Sequence, residues 1–232
     1  MKIDSTLKKI IALLMSIAVI TEIAALDDSK KSYDNEFEYR DNIAPFLSIR
    51  SIFNEPTEIE VHINPVIENG TKVLDTLFDF HAIYDIPIYK LINIVIDLEN
   101  EQNVFPRMKY TRDLNPTDSL WDPHFQEVIT SFKYGGLGQE YHYVFFKFPE
   151  IRKDGSFIIK WNLYESIDNK FNFSFGSWYM KEVIYEEQKY TYVRNFVHFE
   201  IVDYPAYVEI ISRLLGKGDI KRFFKALQIA AE

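Results

Sequence analysis

The 232-residue chain contains no cysteine. That excludes a disulfide framework, a thiolate metal site, a cysteine nucleophile and a lipidated N-terminal cysteine. Positive charge is in deficit, with 26 Lys and Arg against 35 Asp and Glu for a net charge of −9. Nucleic-acid binding needs clustered Lys and Arg to neutralise phosphates, so no nucleic-acid partner is expected. Glycine is scarce, at 8 residues. No Gly-x-Ser-x-Gly elbow supports a serine hydrolase, and no His-Glu-x-x-His pattern supports a metal site. Long hydrophobic runs are missing as well. The run Ile10 to Ile20 spans 11 residues, short of the roughly 20 a membrane helix needs.

What is abundant is aromatic: 19 Phe, 15 Tyr and 3 Trp make up 16% of the chain. With 47% apolar and 26% charged residues, the composition is that of a folded chain with ample core. The first 25 residues have the three parts of a secretory signal: Lys2, Lys8 and Lys9, the short apolar run, then Ile23-Ala24-Ala25. The expectation is an exported protein, delivered to a bacterial periplasm. Residues 26–54 read as a lead-in, partly flexible, with a short helix near Asn42 to Phe53. No linker or repeat divides residues 55–232, which are expected to form a single domain.

Alternation of apolar and polar residues predicts a strand at Ile59–Ile63, an Asn69-Gly70 turn and a second strand over Lys72–Tyr84. Pro87 suits a first helical turn, and Ile88, Leu91, Ile92 and Val95 follow at helical spacing, with a second short helix or turn to Phe105. Six strands are expected next: Met108–Leu114, Asp122–Phe132, Glu140–Phe148, Ser156–Ser166, Phe171–Val183 and Tyr190–Ile201. Gly135-Gly136-Leu137-Gly138 lies between two of them and reads as a hairpin turn, because a phosphate loop would lead into a helix. Beyond Asp203, a candidate N-cap, a helical pattern runs to the end, and Gly216 and Gly218 predict a kink.

The segments Ile86-Pro87-Ile88-Tyr89-Lys90-Leu91, Asp97-Leu98-Glu99, Phe105-Pro106-Arg107, Phe175-Gly176-Ser177-Trp178-Tyr179-Met180 and Thr191-Tyr192-Val193-Arg194 carry a resemblance. Together with the order of elements from Lys72 to Leu227, they resemble the START-like superfamily, the polyketide-cyclase and lipid-transport group. The resemblance implies an α+β helix-grip fold. A curved antiparallel sheet would wrap a long C-terminal helix, with two short helices after the first strand and an apolar cavity between sheet and helix. It also implies that the chain binds a hydrophobic small molecule or lipid, with transient membrane contact. No cofactor and no metal is expected.

On that basis the ligand-binding residues are expected among Phe146, Ile159, Trp161, Trp178, Arg194, Phe196, His198, Ile211 and Leu215. Tyr192, Arg194, Phe196 and His198 share one face of the last strand. If that face points inward, Arg194 needs a partner, supplied by a ligand headgroup or by a buried Asp or Glu, and Arg194 and His198 are the groups expected to orient a headgroup. The alternative is that Val193, Val197 and Phe199 point in. Asp79-Phe80-His81 and His198-Phe199-Glu200 each put a carboxylate two residues from a His, a spacing that needs further converging ligands to hold a metal. Lys217, Lys221 and Lys225 recur every fourth residue and read as the solvated face of the helix or as a contact for anionic headgroups. No residue is singled out as catalytic. The leading expectation is a binding protein. The alternatives are a cyclase- or dehydratase-like enzyme on a polyketide-type substrate and a structural envelope protein without a ligand.

Overall fold

The computed structural model describes residues 52–116, 119, 121–133 and 137–232. The signal-like segment 1–25, the lead-in up to residue 51 and Gly135-Gly136 lie outside the described residues.

The order of elements is β1 (Thr57–Glu68), β2 (Thr71–Tyr84), α1 (Ile88–Ile96), α2 (Glu101–Val104), β3 (Met108–Asp113), β4 (His124–Ser131), β5 (Glu140–Ile151), β6 (Phe157–Ser166), β7 (Phe171–Tyr185), β8 (Gln188–Val202) and α3 (Ala206–Ala231). All eight strands join one antiparallel sheet, ordered β1-β2-β8-β7-β6-β5-β4-β3. The curved open sheet and the long terminal helix make this a helix-grip fold. The short helices follow β2, because Thr57–Glu68 forms a full strand ahead of it.

Local chemistry explains several joints. Asn69 (φ 50°) and Gly70 (φ 84°) both take left-handed backbone in the two-residue β1–β2 turn, the geometry that matches the twist of the flanking strands. Pro87 caps α1, and Leu91 and Val95 turn one face of that helix into the core. At β7–β8 the two-residue turn places Glu186 (φ 49°) and Glu187 (φ 66°) in the same left-handed region, at a cost that neighbouring pairing must offset.

One expectation about α3 is corrected. The helix starts after Pro205, not after an Asp203 cap, and Asp203 itself has φ 48°. It also runs as one unbroken helical segment from Ala206 to Ala231. Gly216 serves packing: a Cβ there would lie 2.7 Å from Cζ of Phe78 on β2. The missing side chain lets helix and sheet approach closely, at about 1 kcal/mol of helix propensity.

The two halves of α3 are held differently. From Asp219 onward the helix buries Asp219, Phe224, Leu227, Gln228 and Ala231, whereas its first three turns fully bury only Val208. Phe224 packs edge-on to Trp178 at 5.2 Å, Phe223 stacks on Phe105 at 5.5 Å, and Tyr84 Oη donates to the Phe224 carbonyl at 3.3 Å. Asp219 accepts from Arg107 Nε and Nη2 at 3.2 and 3.1 Å and from Arg222 at 3.0 Å. The loop after α2 is thereby tied to the middle of the terminal helix.

Candidate ligand-binding cavity

A cavity of about 200 Å³ lies between the sheet and α3. In β8 its wall is Asn195, Val197, Phe199 and Ile201. The side-chain period of two in a strand therefore sends Tyr192, Arg194, Phe196 and His198 to the other face of the sheet. The register agrees across the neighbours. Val197 pairs with Phe78 on β2 and Gly176 on β7, and Asn195 pairs with Phe80 and Trp178. The remaining apolar wall includes Phe78, Phe105, Val128, Phe145, Trp161, Phe171, Trp178 and, on α3, Val208, Ile211, Ile220 and Phe223.

One sector of this wall is polar. Glu101 from α2, Gln126 from β4 and Lys147 from β5 meet there, each 6% exposed or less. Lys147 Nζ donates to both Glu101 carboxylate oxygens, at 2.9 and 2.8 Å. Gln126 Nε2 donates to Glu101 Oε2 and to the Leu98 carbonyl, both at 2.7 Å. Its Oε1 is buried and has no hydrogen-bond partner. A buried acceptor left unmet costs about 1–3 kcal/mol, so the sector retains polar capacity. Tyr143 lines the same wall, with its hydroxyl 3.5 Å from Thr130 Oγ1. Burial raises the pKa of that phenol, so it stays a donor.

The structure distributes the nine expected ligand residues unevenly. Trp161, Trp178 and Ile211 line the cavity. Ile159 is buried in the core beside it, and Leu215 is a half-buried residue of α3 outside the lining. Phe146, Arg194, Phe196 and His198 occupy the opposite sheet face, which corrects their expected contact with a ligand. Phe146 packs on Phe125 at 5.1 Å. Arg194 forms a fork with Asp79, Nε to Oδ1 and Nη2 to Oδ2 both at 2.8 Å, with both side chains 1% exposed or less. Its charge is met within the fold. His198 Nε2 is 2.6 Å from Asp75 Oδ1.

His81 stands beside that fork, and its Nδ1 is 3.4 Å from Tyr192 Oη. Burial pushes its pKa down to about 4; Asp79 opposes the shift and Arg194 adds to it. The lysine row of α3 also has protein partners: Lys217 and Lys221 pair with Glu58 (2.6 Å) and Glu55 (3.2 Å), and Lys225 donates to Gln228 at 3.0 Å.

Sequence reasoning missed Glu101, Gln126 and Lys147. Lys147 carried a signal, since it interrupts the apolar stretch Tyr143-Val144-Phe145-Phe146 on the Tyr143/Phe145 face. Glu101 carried none, as an acidic residue in a short polar segment.

A long helix gripped by a curved antiparallel sheet, with a cavity between them, is the START-like helix-grip architecture. Among solved structures, human StAR-related lipid transfer protein 5 superimposes with a TM-score of 0.55 at 13% identity, covering 89% of this chain and 96% of that one. A STAR-related lipid transfer protein fragment from Xanthomonas axonopodis gives 0.51 at 12% identity, over 72% of this chain and 98% of the other. No protein-family model matches the sequence, and no curated protein matches it either. The likeness is one of fold.

Proposed function

We propose that this chain is an exported carrier that encloses a hydrophobic small molecule or lipid between its sheet and α3. The observation that carries the reading is an apolar cavity with an unmet buried acceptor, Gln126 Oε1, in its wall. Apolar burial supplies affinity at about 25 cal/mol per Å². A ligand hydroxyl or amine donating to Gln126 supplies orientation, because a buried polar group discriminates strongly against a molecule that leaves it unpaired.

The size of the cavity narrows the ligand. A void of roughly 150 Å³ holds benzene, and drug-sized sites span about 300–1,000 Å³. At about 200 Å³ the cavity accommodates a compact ring system. A long-chain lipid requires the lightly packed first half of α3 to move outward. Ile210 and Leu214, exposed on that half, are the side chains through which transient membrane contact would run.

The test is solvent extraction and native mass spectrometry of freshly purified protein. A retained apolar molecule bearing a hydroxyl or amine is expected, and Gln126→Leu lowers affinity for it more than for an analogue lacking that group. An empty protein that also binds no hydrophobic probe overturns the reading.

A second reading, a cyclase- or dehydratase-like enzyme, is favoured by the convergence of Glu101, Lys147 and the Tyr143 phenol on one wall. Such chemistry needs an acid and a base within reach of the substrate. Recovery of the added polyketide-type molecule unaltered after long incubation separates a carrier from an enzyme.

A further inference from the structure

We propose that His62, Asp75 and His198 form a binding site for a divalent transition-metal ion of the zinc class, on the sheet face opposite the cavity. The three residues come from three adjacent strands. His62 on β1 and His198 on β8 both stand across from Leu77 of β2, one on each side, and Asp75 lies two residues along β2 on the same face. One ligand atom from each lies within 4.8 Å of the others. His62 Nε2 is 3.5 Å from Asp75 Oδ2, and His198 Nε2 is 2.6 Å from Asp75 Oδ1. With bonds of about 2.0–2.1 Å, a tetrahedral zinc ion holds its ligand atoms about 3.3 Å apart. Small side-chain rotations bring all three to that spacing, the ion replacing the His198–Asp75 hydrogen bond.

The donor set selects the ion. Two imidazole nitrogens and one carboxylate suit Zn²⁺, Ni²⁺ or Cu²⁺, whereas Ca²⁺ and Mg²⁺ take oxygen ligands. Three protein ligands leave a position for water, and side-chain exposures of 32, 26 and 24% for His62, Asp75 and His198 give an ion access. The surroundings also orient the rings. Phe173 and Phe175 flank the His198 imidazole edge-on at 4.9 and 5.1 Å. The Glu60 carboxylate lies 3.9 Å from His62 Nδ1, leaving Nε2 turned toward Asp75. A carboxylate behind a ligating histidine is a common support for metal sites. The ion would clamp the edge strand β1 to β2 and β8. On β8 the neighbours of His198 are Val197 and Phe199, which line the cavity on the reverse face. The site stands independently of what that cavity holds.

The experiment uses the full chain without a histidine tag, treated with chelator and desalted. Zn²⁺ is titrated by calorimetry, Co²⁺ is followed by its visible absorption, and melting is recorded with and without each ion. The expected result is 1:1 Zn²⁺ binding, a melting temperature raised by several degrees, a visible Co²⁺ band and no response to Mg²⁺ or Ca²⁺. His62→Gln and His198→Gln each weaken binding more than tenfold, while His142→Gln, a histidine paired with Glu127 elsewhere in the sheet, leaves it unchanged. His62 lies on a partly exposed edge strand, so its variant carries the test if His198→Gln fails to fold. Absence of saturable Zn²⁺ binding, or affinity that survives both substitutions, overturns the proposal.

Discussion

The sheet buries an ion pair on each of its faces, and the two pairs differ in what surrounds them. Arg194 and Asp79, on the face away from the cavity, meet through two parallel 2.8 Å bonds. Lys147 and Glu101, on the cavity side, meet equally closely, but beside an acceptor that has no partner and a space that holds no side chain. A planar guanidinium fork fixes geometry, while an ammonium on a flexible stem keeps a rotatable donor. The first arrangement holds strands β2 and β8 together. The second leaves polar capacity where a ligand can use it.

The sharpest way to break this contrast is to remove one cation from each face. Arg194→Met strands the Asp79 carboxylate in a dry interior and is expected to cost about 3–5 kcal/mol, read as a shifted urea midpoint. Replacing Asp79 with Leu in the same chain recovers much of that loss. Lys147→Met strands Glu101 beside a cavity that can admit water, so the expected cost is smaller, on the order of 2–3 kcal/mol. Equal costs for the two variants would mean that the cavity-side pair is as dry as the Arg194–Asp79 pair.

Acid provides a third probe. His81 titrates at about 6.5 in the unfolded chain and about 4 in the folded one. Below about 6.5 the unfolded state binds more protons, so stability present above that value declines as the pH falls toward 4. The urea midpoint should drop over this window in the wild type and less in His81→Gln. Glu140, held down at about 2 by hydrogen bonds from Lys109 and Lys133, loses its contribution only below about 4.5, which separates the two effects.

The smallest effect is expected at Gly216. Alanine there gains about 1 kcal/mol of helix propensity, offset by displacement of the Phe78 ring tip that its Cβ would meet at 2.7 Å. The net change in stability should stay within about 1 kcal/mol. Ligand affinity should change more, because Phe78 and Gly216 both line the cavity.

The elements were legible in the sequence because most strands alternate, or end at residues such as Asn69-Gly70 that tolerate left-handed backbone. The facing of β8 was not. Its two faces are buried nearly alike, with Tyr192 and Val193 both 0% exposed and Arg194 at 1%, so alternation carries no sign of inside and outside. An arginine at such a position calls for either a ligand or a buried carboxylate, and nothing local chooses between them, because Asp79 lies 115 residues away. The packing role of Gly216 was hidden for a related reason. Helix propensity is local, while the need for a close approach to Phe78 is tertiary. The polar sector joins a four-residue helix to two strands, so its assembly depends on the fold and not on any motif.

The sheet is open, and among the described residues it ends at β1 and β3. Open edges offer unpaired peptide groups to any passing strand, which is how sheets recruit copies of themselves into aggregates. Both edges here carry deterrents. β3 is only six residues long and includes Lys109, Arg112 and Asp113. β1 is longer, but it carries Glu58, Glu60 and Glu68, has a register break between Glu58 and Glu60, and contains Pro65, which lacks an N–H to offer. A fold that stays open to grip a helix thus remains a poor template for strand addition, and its many aromatic strands stay turned toward their own core.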